Sequence, residues 1–302
     1  MWTPKWERVQ YETGAHDSMT VSRRQFIGTL ALPVLFRQGR KTNMFGDAEA
    51  YERFMGRWSR LVAPLLVEFA GIDDRGDVLD VGSGTGSLAF AILKLKPNCS
   101  VVGIDPSGEY VDYARSRNAF GNRAAFEVGD AQKLRFGDAT FSNCLSLLVF
   151  NFIPDPLKAL REVHRVTKVG GRIAAAVWDY GEGMRILRVF WDAAVSVDPK
   201  AEARDEKHMP LCRAGELAKL WDQNGLKRVE ARSLEIITRF ENFRDYWDAF
   251  LLKQGPAGNY VASLDRNRLQ ALRSEVKRRF GILSEDQSFN LPARVWAVRG
   301  TV

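Results

Sequence analysis

Three acids close three apolar runs. Asp80 sits inside Val78-Leu79-Asp80-Val81, Asp105 ends Ser100-Val-Val-Gly-Ile-Asp105, and Asp130 follows Ala124-Ala-Phe-Glu-Val-Gly129. The first run turns at Gly82-Ser83-Gly84-Thr85-Gly86 and an apolar helical pattern begins at Leu88, which reads as strand, tight turn and helix start. Glycines there let a ligand lie against the main chain, and the turn presents free N–H groups of a helix N-terminus. Asp80, two residues before Gly82, can face a cationic group directly or through water. Asp105 lies nineteen residues past Gly86, at a second strand tip, where an acid can accept both hydroxyls of a ribose. Together the acids describe a pocket for a ligand with an amine, a ribose and a base edge, and no phosphate. A nicotinamide or flavin dinucleotide would place its pyrophosphate at this turn and gain nothing from Asp80. Its fingerprint would also want Gly or Ala where Ser87 stands.

At these residues the chain resembles the class I S-adenosylmethionine-dependent methyltransferases, in particular the small-molecule group called methyltransferase type 11. The resemblance runs from Met44 to Val302 and is strongest from Val78 to Trp178. It implies S-adenosyl-L-methionine as cofactor. Asp80 and the turn Gly82, Ser83, Gly84, Thr85 and Gly86 would hold the methionine part, Asp105 with Pro106 the ribose, and Asp130 with Ala131 the adenine. Ser146, in the run Asn143-Cys-Leu-Ser-Leu-Leu-Val149, matches a serine that touches the cofactor. The family often opens this strand with Phe-Asp; here it reads Phe141-Ser142.

The implied reaction is methyl transfer to a small organic acceptor by in-line displacement, in which a protein mainly positions and desolvates. A base is needed only for a neutral, weakly acidic acceptor, and the sequence assigns no catalytic residue. Asp155, Asp179 and Tyr180 near strand tips are candidates, each read first as structural or solvent-facing and only second as a base, and Tyr51 or Arg60 on the preceding helix are candidates for contacts to the methionine end. A protein that keeps the cofactor fold as a non-catalytic, S-adenosylmethionine-binding regulator is the alternative.

These residues need a frame. Strands near 78–82, 100–105, 124–128, 143–149 and 172–178 alternate with helices, which predicts parallel strands with right-handed crossovers and a ligand beyond their carboxyl ends. Helical patterns cover 50–69, 155–167, 184–197 and 214–224, and two further strands fall at 229–240 and 291–298. The expected fold is α/β: a doubly wound, Rossmann-like, seven-stranded, mostly parallel sheet with helices on both faces. The resemblance makes the last two strands an antiparallel pair. Between them a helical insertion, 239–289, carries Phe243, Tyr246, Trp247 and Phe250 on one helix face, then a Gly255-Pro256 break and a helix from Val261 to Phe280. This insertion is a candidate substrate cap, or a face that packs on the sheet edge.

A chain of 302 residues with 45% hydrophobic content can bury a substantial core. No apolar run is long enough to span a bilayer. Cys99, Cys144 and Cys212 are odd in number and widely spaced, which argues against a disulfide framework or a zinc site, and no metal is expected. The net charge of +7 belongs mostly to residues 1–43, where seven Lys/Arg face three Asp/Glu. With +3 left for the remainder, and Asn151-Phe-Ile-Pro154 in place of the Asn-Pro-Pro-aromatic motif of DNA amino-methyltransferases, no nucleic-acid partner is expected. Ser22-Arg-Arg-Gln-Phe and the apolar Thr29–Phe36 look like a twin-arginine export signal, but the core runs into Arg37-Gln-Gly-Arg-Lys41 without a small-x-small cleavage site. Residues 1–43 are therefore read as a leader dispensable for folding, 44–302 as the methyltransferase domain, and the location as cytoplasmic, with export as the alternative. Nothing in the sequence signals an oligomeric state.

Overall fold

The computed structural model describes residues 47–281, 284 and 286–302; the expectations for the leader, including the export signal, lie outside the described residues. Five parallel strands, β1 (Gly76–Val81), β2 (Cys99–Asp105), β3 (Ala124–Val128), β4 (Phe141–Leu147) and β5 (Thr167–Trp178), are joined by β6 (Lys227–Phe240) and β7 (Phe289–Thr301). The order is β3-β2-β1-β4-β5-β7-β6, with β7 antiparallel to both of its neighbours. This is the expected doubly wound sheet, with helices on both faces. β1 lies inside the sheet, paired to β2 on one edge and β4 on the other, and Val78 to Val81 are buried without alternation, as a strand covered on both faces requires. The strand order reverses between β1 and β4, which opens a crevice beyond the carboxyl ends of the strands.

The chain enters through α1 (Ala48–Tyr51), a π-helical turn (Glu52–Gly56) and α2 (Arg57–Ala70), so the helix expected over 50–69 widens near its start. A Cβ on Gly56 would fall 2.5 Å from Glu52 Oε1. Its absence lets the Glu52 carboxylate fold back over the turn. α3 (Ser87–Leu95), α4 (Gly108–Ser116), α5 (Pro156–Val166), α6 (Arg185–Val197) and α7 (Glu216–Asp222) fill the crossovers and the approach to β6. α5 has a complete start signal, Asp155 accepting the Lys158 N–H at 2.9 Å with Pro156 in the first turn.

Between β6 and β7 lie α8 (Phe243–Leu251), α9 (Gly255–Ala262) and α10 (Arg266–Phe280). Two expectations are corrected here. Gly255-Pro256 opens a helix instead of breaking the chain, with Pro256 in the first turn where its missing N–H costs nothing. The helix expected over Val261–Phe280 is two, because Ser263 Oγ turns back to the Tyr260 carbonyl and Asp265 caps a new helix by accepting the Arg268 N–H at 2.9 Å.

The aromatic face of α8 is core. Phe250 stacks on Phe190 of α6 with centroids 4.4 Å apart and meets Phe54 edge-on at 5.3 Å, and Tyr246 Oη donates to the Ile186 carbonyl at 2.7 Å. Phe243 and Trp247 are buried in the same cluster. Of the two readings of this face, the geometry observed is that of packing.

Candidate functional site

The site begins at the turn after β1. Gly82 has φ +72°, and a Cβ there would lie 2.5 Å from the Val149 side chain, so glycine is required both by the backbone and by the close approach of the chain leaving β4. Above Gly84 a Cβ would meet nothing within 4 Å. The turn thus packs tightly on the β4 side and is open above its middle glycine. α3 then starts without a side-chain cap of its own, since its N-cap is Gly86. Asp80 supplies the cap from the strand: its Oδ2 accepts the Ala89 N–H at 3.0 Å. The other oxygen, Oδ1, is buried without a hydrogen bond, as is the Ser83 hydroxyl in the turn. Burial pushes the Asp80 carboxyl up to about 8, against the Ala89 N–H and with help from the nearby Asp105 charge. Thr85 Oγ1 donates to Glu52, which also pairs with Arg60, so the π-helical turn is latched to the glycine turn.

Asp105, at the tip of β2, is held by main-chain donors alone: Gly84 N–H at 3.0 Å on Oδ2 and Ser107 N–H at 2.9 Å on Oδ1. Burial raises its pKa, opposed by these two bonds. Two tyrosines lie within reach of its charge. Tyr51 and Tyr110 have ring centroids 5.3 Å apart, and both phenols are raised by burial and, to a lesser degree, by the Asp105 charge, Tyr51 to about 12. Tyr110 Oη is a third buried atom without a hydrogen bond. Two desolvated carboxyls with no cation bonded to either make a pocket whose complement is a ligand that brings its own positive charge.

The structure brings Asp80, Gly82, Ser83, Gly84, Thr85, Gly86 and Asp105 into one constellation. Pro106 follows Asp105 with its ring exposed. Asp130 and Ala131 lie past the end of β3, with Asp130 exposed and its Oδ1 taken by the Gln132 N–H at 2.8 Å. Ser146 is buried within β4 and gives its hydroxyl hydrogen to the Val81 carbonyl at 2.8 Å, tying β4 to β1 beside the turn. Of the residues considered as a base, Asp179 is spent on Arg294 of β7, whose Nε lies 2.8 Å from its Oδ2, and Asp155 on capping α5. Arg60 is exposed and paired with Glu52, while Tyr51 faces inward.

A second group, beyond the tips of β4 and β5, was not legible as a unit. Tyr180 follows β5 and is buried within electrostatic reach of Tyr51, Glu206 and Cys212, with the Asn151 amide beside it. Asn151 sits in the short turn Phe150–Phe152 after β4, and its buried amide turns to the Tyr180 phenol. Glu206, in the turn Glu206–His208, accepts the Trp191 indole N–H at 2.7 Å, and burial raises its carboxyl to about 7. Arg188 of α6 ties the group together: it donates to both Asp205 oxygens at 2.7 Å and to the Tyr180 carbonyl at 3.1 Å. The i, i+3 spacing of Arg188 and Trp191 places both on one helix face, but nothing local names their partners fifteen or more residues on.

Residues 79–175 match the family described as methyltransferase domain. A ubiquinone/menaquinone biosynthesis C-methyltransferase of Geobacter sp. is 33% identical over 121 residues, 39% of this chain and 50% of that protein. The chain spans about half the length of the curated relatives it matches first. An uncharacterized protein of Mycobacterium bovis is 29% identical over 218 residues, 70% of this chain and 75% of that one. Among solved structures, the YcgJ protein of Bacillus subtilis aligns over 80% of this chain and 97% of its own with a TM-score of 0.53 and 18% identity. A phosphoethanolamine N-methyltransferase of Haemonchus contortus in complex with S-adenosyl-L-methionine aligns over 84% of this chain and 56% of its own, with a TM-score of 0.52 and 17% identity. At these identities the structural likeness is one of fold.

Proposed function

From a chain that carries a class I S-adenosylmethionine-dependent methyltransferase domain, we propose an enzyme that moves a methyl group from S-adenosyl-L-methionine to a small organic acceptor by in-line displacement. The observation that carries this reading is the pair of buried, unbonded atoms Asp80 Oδ1 and Ser83 Oγ beside an open glycine turn, one strand away from the Asp105 carboxyl. A carboxylate has about four acceptor positions. Asp105 uses one on each oxygen for the main chain, which leaves one on each for the two hydroxyls of a ribose. Asp80 and Asp105, bonded only to N–H groups, suit a ligand with an amine and a sulfonium and would repel a pyrophosphate.

When bound, the cofactor supplies an activated methyl group and a neutral sulfide leaving group. The chain's own part is placement and the exclusion of water. Asp105 and the turn would fix the ligand's orientation, and the Tyr51–Tyr110 pair, within electrostatic reach of Asp105, adds apolar ring surface nearby. Adenine would reach the corner past β3 where Asp130 is exposed and Ala131 partly buried. A small, flat acceptor is supported by the names of the relatives, which act in quinone biosynthesis. The reading places the enzyme in the cytoplasm, where its cofactor is made. Incubation with methyl-labelled S-adenosylmethionine and a metabolite extract tests it: label should pass to a low-molecular-weight product. Label retained in the cofactor, or passed only to protein or nucleic acid, contradicts it.

A further inference from the structure

We propose that the free edge of β6 pairs with the same edge of a second copy of this chain, antiparallel about a twofold axis at Ile237, so that two sheets become one. The inference concerns association and does not depend on the methyltransferase reading.

The main chain carries the argument. β6 ends the sheet and pairs only with β7. In an antiparallel pair, alternate residues turn their N–H and C=O toward the neighbouring strand or away from it. Arg294 of β7 uses both of its groups on the β5 side: its N–H donates to the Gly183 carbonyl at 3.2 Å, and its C=O accepts the Asp179 N–H at 3.0 Å. Glu235 stands opposite Arg294 and is therefore in an unbonded pair, as is Ile237 opposite Pro292, which has no N–H to give. Arg239, opposite Asn290, repeats the phase. The N–H and C=O of Glu235, Ile237 and Arg239 thus point out of the edge, and no hydrogen bond outside the ladder reaches them among the described residues. Such a row is a template for another strand.

The side chains select which strand. Ile236, Thr238 and Phe240 are buried on one face of β6, while Glu235, Ile237 and Arg239 share the other, with Ile237 61% exposed. When the edge meets its own copy with Ile237 opposite Ile237, Glu235 of each copy stands opposite Arg239 of the other. Opposite charges then meet on both sides of an apolar centre, which the exposed Pro292 beside Ile237 widens. The same register sets the outward groups of the three residues against each other, so that each N–H finds a C=O. Glu235 has no ion-pair partner among the described residues, and Arg239 has only the exposed Glu241, at 3.3 Å. Charges of one sign would keep two copies apart. These draw them together in a single register.

The test is sedimentation velocity of the full chain over a range of concentrations, in which wild type should form a dimer of the 34.1 kDa chain. Glu235→Arg or Arg239→Glu alone sets like charges opposite each other at two symmetric places and should weaken the dimer about tenfold or more. Glu235→Arg and Arg239→Glu together restore the pairing and should restore the dimer. Ile237→Lys brings two ammonium groups together on the axis and should give monomer, which keeps the proposal testable if a charge reversal does not fold. These side chains are exposed, so each variant should keep the wild-type circular dichroism spectrum. A wild type that stays monomeric, a dimer unaffected by the single reversals or by Ile237→Lys, or a double variant no tighter than the single ones overturns the proposal.

Discussion

Asp80 on β1 caps α3 through the Ala89 N–H, 3.0 Å from its Oδ2, and keeps its second oxygen buried and unbonded beside the glycine turn. One carboxyl therefore joins the fold to the site. Asp80→Asn preserves the cap through the amide oxygen, whereas Asp80→Ala leaves a helix start without a side-chain acceptor and should cost about 1 kcal/mol, within a range of 0.5–2. Both should weaken cofactor binding, and near pH 4, where the buried carboxyl is protonated and carries no charge penalty, only the alanine variant should also lower the melting temperature in the absence of ligand.

The same residue sets a pH dependence. Its carboxyl is raised from 3.8 to about 8 by burial, and Glu206 is raised from 4.5 to about 7. A carboxyl whose pKa is higher in the folded chain contributes stability below its unfolded value and loses it as pH rises through the folded one. Groups shifted the other way, such as Glu275 at about 2, have finished titrating by then. The ligand-free protein should melt at a lower temperature at pH 8.5 than at pH 5.5, and Asp80→Asn should shrink the difference. A melting temperature flat across that window in the wild type contradicts the assignment.

How much of this was legible beforehand depended on whether the signal was local. β1, the glycine turn and Asp105 could be read because strand, turn and acid follow one another along the chain, and so could the seven strands. Glu52, which reaches Thr85 across 33 positions, and Glu206, reached by Trp191 across 15, could not. Their roles come from packing between distant segments. The aromatic period of α8 was read correctly as a helix face, but period alone does not distinguish a face that lines a cavity from one that meets Phe190 and Phe54. Asp179 and Asp155 looked available because Arg294 and the α5 start were not visible as their partners.

The α8 face now has a definite expectation. Phe250→Ala and Trp247→Ala each remove a buried aromatic ring and should destabilise the protein by about 3–5 kcal/mol, measured by denaturant unfolding. A change under about 1 kcal/mol with altered acceptor kinetics would return Trp247 to the substrate wall.

Arg188 joins α6 to the turn that carries Asp205. Its partner Asp205 has a fully buried side chain, so Arg188→Ala strands a charge and should cost about 3–5 kcal/mol. Arg188→Ala/Asp205→Ala together should recover part of that loss, since the stranded charge goes with its partner. Unfolding curves of the two single variants and the double variant decide it, and strict additivity would show that the pair does not act as one unit.

The most direct measurement of the central claim is calorimetric titration of S-adenosylhomocysteine into wild type and Asp105→Ala. Loss of the carboxyl proposed to hold the ribose should weaken binding about ten- to a hundredfold, as expected for hydrogen bonds to a charged group, at unchanged stoichiometry of one per chain. Equal affinity in the two proteins, or tighter binding of a nicotinamide dinucleotide than of S-adenosylhomocysteine by the wild type, would contradict the account.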